Sequence, residues 1–254
     1  MKFDVKNEII IAGHRGNPAK SKENTIESFK SAIDLKVDMI ETDVRLTKDG
    51  IAVLMHDDDT FRTTGHKGLV RDMSFNELRK LNAGTEEKPA FIPSLEEFLK
   101  LCASSPETLM NIEIKVYKHI EGEEMVHQAV EKTVSLCEKY GLCNRVVFNS
   151  FDAYVLEYIH KKYEGKFVLH GYYPYGIMSN VSIDPSNYLD YACYWAIDEE
   201  AKRVCEFLKL KGIEPCTGCN TTEVDFYKAV KYGCSMFTEN DPEKALMWRE
   251  KIEK

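Results

Sequence analysis

Glu41 and Asp43 stand two residues apart in the run DMIETDVRLTKDGIAVLMHD, Asp38 to Asp57, and His56 sits near its end. Side chains of an extended strand alternate, so these two acids share one face while Ile40, Thr42 and Val44 take the other. Two further pieces carry matching chemistry. Gly13-His14-Arg15-Gly16 follows an apolar run, and its glycines let the backbone turn tightly on both sides of His-Arg. Asn111-Ile-Glu-Ile-Lys115 puts Glu113 and Lys115 on one strand face. Three carboxylates with no cysteine among them suit one hard, oxygen-preferring divalent cation, Mg²⁺ or Ca²⁺. Arg15 and Lys115 suit a phosphate, the arginine as a planar fork and the lysine as a point charge. Histidines titrate near neutrality, so of His14 and His56 one can accept a proton while the other donates, and residue type leaves open which. These are the parts of phosphodiester cleavage at neutral pH.

The elements that must position them follow from periodicity. Apolar, β-rich runs at Glu8–Ala12, Val37–Asp43, Leu109–Lys115, Arg145–Asn149, Lys166–His170, Asp190–Tyr194, Ile213–Thr217 and Cys234–Thr238 read as strands. Helical patterns lie at Thr25–Leu35, Leu95–Ala103, Glu121–Tyr140, Ala153–Tyr163, Glu199–Lys211, Thr222–Tyr232 and Pro242–Glu250, with little helical signal from His170 to Asp190. Asn24-Thr-Ile-Glu27 and Ser94-Leu-Glu-Glu97 both have capping-box spacing. Eight strands alternating with helices predict an α/β chain folded as a (β/α)8 TIM barrel, a single catalytic domain over residues 1–254 with no large insertion.

A ninth strand, Ile51–Met55, lies too close to the acid-bearing strand for a helical crossover, and Thr47-Lys-Asp-Gly50 carries a hairpin signal. A hairpin after the second strand sets Val53 roughly opposite Val44 and brings His56 down beside Glu41 and Asp43. In a parallel barrel the strand ends bearing His14, Arg15, Glu41, Asp43, Glu113 and Lys115 converge on one rim, where sites of this fold sit.

Composition narrows the surroundings. The chain has 254 residues, 30% charged and with a net charge of -8, which argues against a nucleic-acid surface and leaves local basic residues to bind anions. No apolar run is long enough to span a bilayer, and the N-terminal MKFDVKNEIIIAG lacks the core of a signal peptide, so a cytoplasmic protein without stable membrane insertion is expected. Eight cysteines then read as reduced packing residues. Cys216-Thr-Gly-Cys219 has redox-motif spacing but lacks that motif's context, and no second CxxC completes a zinc set.

Taken singly, each piece has an ordinary structural explanation. Taken together, GHRG, ENT-x-x-SF, IETDV, TKDG, HDDDTFRTTG, IPSLEEFL, IEIK, the Ser150-Phe151 strand end and a terminal FTENDP resemble the glycerophosphodiester phosphodiesterase family, from residue 12 to about 242. The resemblance implies a (β/α)8 barrel that hydrolyses small-molecule glycerophosphodiesters to sn-glycerol 3-phosphate and an alcohol. It implies His14 and His56 as the acid/base pair, Glu41, Asp43 and Glu113 as metal ligands, and Arg15 and Lys115 as phosphate contacts. Relatives directed at lysophospholipids or phosphoinositides, or a non-catalytic phosphate-binding barrel, are the alternatives. One departure stands out. Where such proteins usually show Trp-Thr-Val-Asn, this chain has Cys216-Thr-Gly-Cys-Asn220, and Trp195 becomes the candidate for the aromatic substrate wall.

Overall fold

Short runs of Ile, Val, Leu and Met form nine strands in the computed structural model, which describes residues 8–219 and 221–252. They are β1 (Ile10–Gly13), β2 (Met39–Leu46), β3 (Ala52–Leu54), β4 (Leu109–Ile114), β5 (Val146–Asn149), β6 (Val168–Tyr172), β7 (Tyr191–Cys193), β8 (Glu214–Cys219) and β9 (Met236–Glu239). Between them run α1 (Ile26–Asp34), α2 (Phe61–Thr64), α3 (Phe75–Leu78), α4 (Leu95–Ala103), α5 (Lys118–Glu121), α6 (Glu123–Lys139), α7 (Ala153–Lys162), α8 (Glu199–Leu210), α9 (Glu223–Tyr232) and α10 (Pro242–Ile252). Strand β1 pairs in parallel with both β2 and β9, and β2, β4, β5, β6, β7, β8 and β9 pair in parallel in that order, so eight strands close a (β/α)8 barrel. Among the described residues no helix is long and apolar enough to cross a membrane.

Strand β3 alone runs antiparallel, as the return arm of a hairpin on β2. Its register is Val44↔Leu54 and Arg45↔Val53, one residue from the expected Val44–Val53 pairing. The turn explains the slip. Thr47 N bonds to Ile51 O and Thr47 Oγ1 accepts from Ile51 N, which leaves a three-residue loop closed by Gly50 at φ 71. Met55 N reaches Asp43 O at 3.0 Å, so the next residue, His56, arrives opposite Thr42 and between the two acids.

Two helix starts with similar sequences behave differently. At α4 the capping box forms: Ser94 Oγ accepts from Glu97 N, and the Glu97 carboxylate accepts from Ser94 N at 2.8 Å. At α1 the cap is Thr25, whose extended backbone suits that position and whose Oγ1 accepts from Ser28 N. The expected Asn24 cap is therefore corrected. Asn24 has a left-handed backbone, φ 54, which turns its amide toward Asp43. The long helix expected over 121–140 forms as α6 but starts at Glu123, because Gly122, whose φ of 86 lies outside helical space, separates it from α5. From β6 to β7 the chain makes only 3₁₀ turns, at Tyr175–Ile177 and Pro185–Asn187.

Apolar strand residues such as Ile40, Val44, Ile112 and Phe148 join Phe29, Phe98, Leu99 and Val130 from the helices in one buried cluster. Under the hairpin a smaller cluster of Val53, Met55, Val70, Leu78 and Ile92 holds β3 in place. Loss of the α4 cap by Ser94→Ala should cost ~1 kcal/mol and lower the melting temperature by about 2–4 °C with turnover unchanged. A thermal melt beside an activity assay checks both halves.

Candidate active site

The β2–β4 register sets Asp43 beside Glu113 and Glu41 beside Asn111, and oxygens of the three acids lie within 4.8 Å of one another. All three are buried. Lys115 Nζ lies 2.6 Å from Glu113 Oε1 and 3.3 Å from Asp43 Oδ1, while Arg15 Nε lies 3.3 Å from Asp43 Oδ2. Asn24 Nδ2 donates to Asp43 Oδ2 at 2.8 Å. Burial works to raise the Asp43 pKa, but Lys115 and Arg15 outweigh it and hold the carboxyl below its usual range. Burial and the neighbouring Asp43 and Glu113 charges push Glu41 well above its usual range. Glu41 Oε2 accepts from Arg15 N at 2.9 Å, whereas Glu41 Oε1 is buried with no hydrogen-bond partner. An orphaned carboxylate oxygen facing two more carboxylates, with oxygen donors only, fits a hard divalent cation.

Close packing fixes the Gly13–Gly16 turn that carries His14 and Arg15. A Cβ at Gly16 would meet Ser28 Oγ at 2.4 Å, and one at Gly13 would meet Gly16 O at 2.2 Å. The two histidines are oriented by different partners. His14 Nδ1 lies 2.7 Å from Asn240 Oδ1, leaving Nε2 at 3.8 Å from Glu41 Oε2 and 4.0 Å from Cys219 Sγ. His56 Nδ1 lies 2.6 Å from Asp57 Oδ1, leaving Nε2 for the cavity it lines. Burial lowers the His14 pKa, but contacts with Cys219 and Asn240 outweigh it and the value is raised. At His56 burial, aided by Lys115 and Arg15, overcomes the carboxylates of Asp43 and Asp57, and the pKa is lowered. A chain of ion pairs links the two segments: Asp57 to Arg62, Arg62 to Glu23, and Glu23 to Arg15.

The carboxylates and histidines open into a cavity of about 160 Å³. One side is aromatic. Phe151 stacks on Tyr172 at 3.6 Å between centroids, and Trp195 stacks on Tyr172 at 5.1 Å and on Phe151 at 5.7 Å. Lys115 Nζ sits 5.5 Å from the Phe151 ring. Deeper in the barrel lies His170, kept neutral by burial that lowers its pKa to about 3.

All eight residues singled out from the sequence therefore border one cavity or the ion-paired cluster at its mouth. Sequence reasoning missed the residues that hold them. Arg45 is buried, donates from Nε and Nη2 to His56 O at 3.0 and 2.7 Å, and from Nη1 to Lys115 O at 3.0 Å. Asn24 read as a helix cap, and Asp57 and Asn240 lay inside matched motifs without a role. An arginine two residues after Asp43, near the end of β2, was the one available signal for Arg45. Asn220 lies outside the described residues.

A (β/α)8 barrel with charged groups gathered at the C-terminal strand ends belongs to the barrel enzymes that work at that rim. Residues 14–242 match the model of the Glycerophosphoryl diester phosphodiesterase family. A glycerophosphodiester phosphodiesterase of Caldanaerobacter subterraneus subsp. tengcongensis is 31% identical over 240 residues, covering 92% of this chain and 95% of that protein. This chain belongs to the glycerophosphoryl diester phosphodiesterase family. Solved structures share the fold. An Oleispira antarctica phosphodiesterase, in complex with the product sn-glycerol-3-phosphate, has a TM-score of 0.79 at 22% identity, covering 96% of this chain and 97% of that one. A glycerophosphodiester phosphodiesterase from Parabacteroides distasonis has a TM-score of 0.79 at 18% identity, covering 98% and 100%.

Added to chelator-treated protein at a hundredfold excess over its dissociation constant, Mg²⁺ or Ca²⁺ should stabilise the fold by about 2.7 kcal/mol. Glu41→Gln and Asp43→Asn should each shrink that shift in a thermal melt. A shift equal to the wild type in both variants would place the ion elsewhere.

Proposed function

We propose that this chain hydrolyses glycerophosphodiesters to sn-glycerol 3-phosphate and an alcohol, with Glu41, Asp43 and Glu113 holding one divalent cation, Mg²⁺ or Ca²⁺. The carrying observation is the orphaned Glu41 Oε1 inside a carboxylate cluster that also pairs with Arg15 and Lys115. Three carboxylates, two cationic side chains and a divalent ion leave one positive charge in excess, which the single negative charge of a phosphodiester neutralises. When bound, the ion supplies charge stabilisation at a phosphoryl oxygen. Arg15 and Lys115 offer donors to the remaining phosphoryl oxygens. His56, its Nδ1–H held by Asp57, accepts the proton of the attacking hydroxyl at Nε2. His14, whose raised pKa keeps a proton nearer neutrality, donates from Nε2 to the leaving alcohol. The attacking hydroxyl belongs either to the glycerol unit or to water, and trapping a cyclic phosphate separates the two.

The alcohol side is read from the groove beyond Trp195, which includes Asp198, Thr221 and Asp225 with Ile197 as its aliphatic residue. Carboxylates there favour a polar or cationic alcohol over an acyl chain, which sets soluble diesters ahead of lysophospholipids. The same reading takes the chain as one catalytic domain of the cytoplasm, supported by six cysteines buried as single thiols.

Incubation with glycerophosphocholine and Mg²⁺ or Ca²⁺ should release glycerol 3-phosphate. His14→Ala and His56→Ala should each lower kcat by ~10²- to 10⁴-fold. With a nitrophenol leaving group, which needs little protonation, the His14→Ala loss should shrink while the His56→Ala loss persists; the reverse pattern would exchange the roles. Trp195→Ala should raise KM more than it lowers kcat, the sign of lost uniform binding, and an unchanged KM would remove Trp195 from the substrate wall.

A further inference from the structure

The β6–β8 side of the barrel carries a second, chemically different set of donors. Cys193 of β7 and Cys216 of β8 are register partners, so their side chains emerge side by side from adjacent strands. On β6, Tyr172 pairs with Cys193, and His170 stands two residues before it on the same strand face. His170 Nε2 lies 3.2 Å from Cys216 Sγ, and Nε2 and the two sulfurs all lie within 4.8 Å of one another. A tetrahedral ion with metal–sulfur distances of about 2.3 Å and a metal–nitrogen distance of about 2.0 Å spaces its donors about 3.5–3.8 Å apart. Closing these three around an ion therefore takes side-chain shifts on the order of an ångström.

We infer that His170, Cys193 and Cys216 form a binding site for one soft divalent cation of the Zn²⁺ class, distinct from the carboxylate site. Two thiolates and an imidazole are soft donors, whereas the rim cluster offers oxygen alone, so the two sites sort cations by type. The charge also balances. Binding releases the two thiol protons and leaves two thiolates, a neutral imidazole and a 2+ ion, a complex without net charge and so tolerable in a dry interior. Asn111 supplies an independent observation. Its amide meets His170 Nδ1 at 3.2 Å, and its Oδ1 is buried with no hydrogen-bond partner. With the amide turned so that Oδ1 accepts from Nδ1–H, the Nε2 lone pair faces the sulfurs, the arrangement that fixes a metal-ligating histidine. Entry is through the catalytic cavity, whose wall includes His170 and Cys193 and which leaves a fourth ligand position toward the lumen. An ion there ties β6, β7 and β8 together where the β6–β7 connection has no covering α-helix and β7 has three residues.

The competing arrangement is a Cys216 S–H···Nε2 hydrogen bond that simply satisfies a buried histidine. Reduced, chelator-treated full-length protein, with Mg²⁺ in excess to fill the carboxylate site, is titrated with Cd²⁺ and with Co²⁺. Expected are a thiolate-to-metal charge-transfer band that saturates at one equivalent and slowed reaction of two thiols with a thiol reagent. The band should survive in Glu41→Gln and in Cys219→Ala and disappear in Cys216→Ser and in His170→Gln. Absence of a band in the wild type overturns the inference whatever the variants do. So does its persistence in a folded Cys216→Ser protein, or its loss in Cys219→Ala.

Discussion

Like charges cannot share the dry mouth of a barrel unless opposite charge is brought to them, and that constraint organises this molecule. Asp43 meets it through Lys115, Arg15 and the Asn24 amide, and Glu113 meets it through Lys115. Glu41 is left with a backbone N–H on one oxygen and nothing on the other, and the electrostatic cost of the cluster falls on its pKa. The strain has a direction. A divalent cation among the three acids would relieve the repulsion and convert an excess of negative charge into an excess of positive, complementary to a phosphodiester. The compensating side chains come from segments distant in sequence, so the cluster can exist only in the closed barrel.

Closure alone would not place the histidines. The hairpin brings His56 to the acids, and Arg45 keeps it there by grasping the carbonyls of His56 and Lys115 with one guanidinium. Arg45 lies two residues beyond Asp43 on the same strand, so β2 provides both a carboxylate and the clamp that fixes its neighbours. The run from Asp57 through Arg62 and Glu23 to Arg15 joins the His56 and His14 segments through alternating charges. Two histidine-bearing segments more than forty positions apart are thereby joined by one ionic chain.

The barrel, the hairpin and the gathering of His14, Arg15, Glu41, Asp43, His56, Glu113 and Lys115 were legible because each depends on local pattern: alternation in β2 and β4, a turn signal after Leu46, and glycines around His14. Trp195 was singled out only through the family resemblance. What escaped depends on tertiary placement. Asn24 carries the sequence of a helix cap, and only its left-handed backbone diverts it to Asp43. The hairpin register was off by one because Thr47 and Ile51 close a three-residue loop, a choice made by Thr47 Oγ1 and the Gly50 conformation. His170 and the cysteines at 193 and 216 look unrelated along the chain, and only the stagger of three parallel strands brings them together.

The two halves of the rim differ in how firmly they hold their groups. On the β1–β4 side Asp43, Arg15 and Lys115 each have several fixed partners, and moving one disturbs the balance of the others. On the β5–β8 side Trp195, 43% exposed, is held chiefly by stacking on Phe151 and Tyr172. Stacking tolerates substitution better than a desolvated charge network, because a lost ring contact leaves no unpaired charge behind. That difference gives a physical reason why Cys216 can stand where the family resemblance leads one to expect tryptophan. Phe151, Tyr172 and Trp195 supply an aromatic surface on this side of the cavity. On the proposed function, phosphate chemistry and alcohol choice are thus separable, the first fixed by electrostatics and the second open to change by packing.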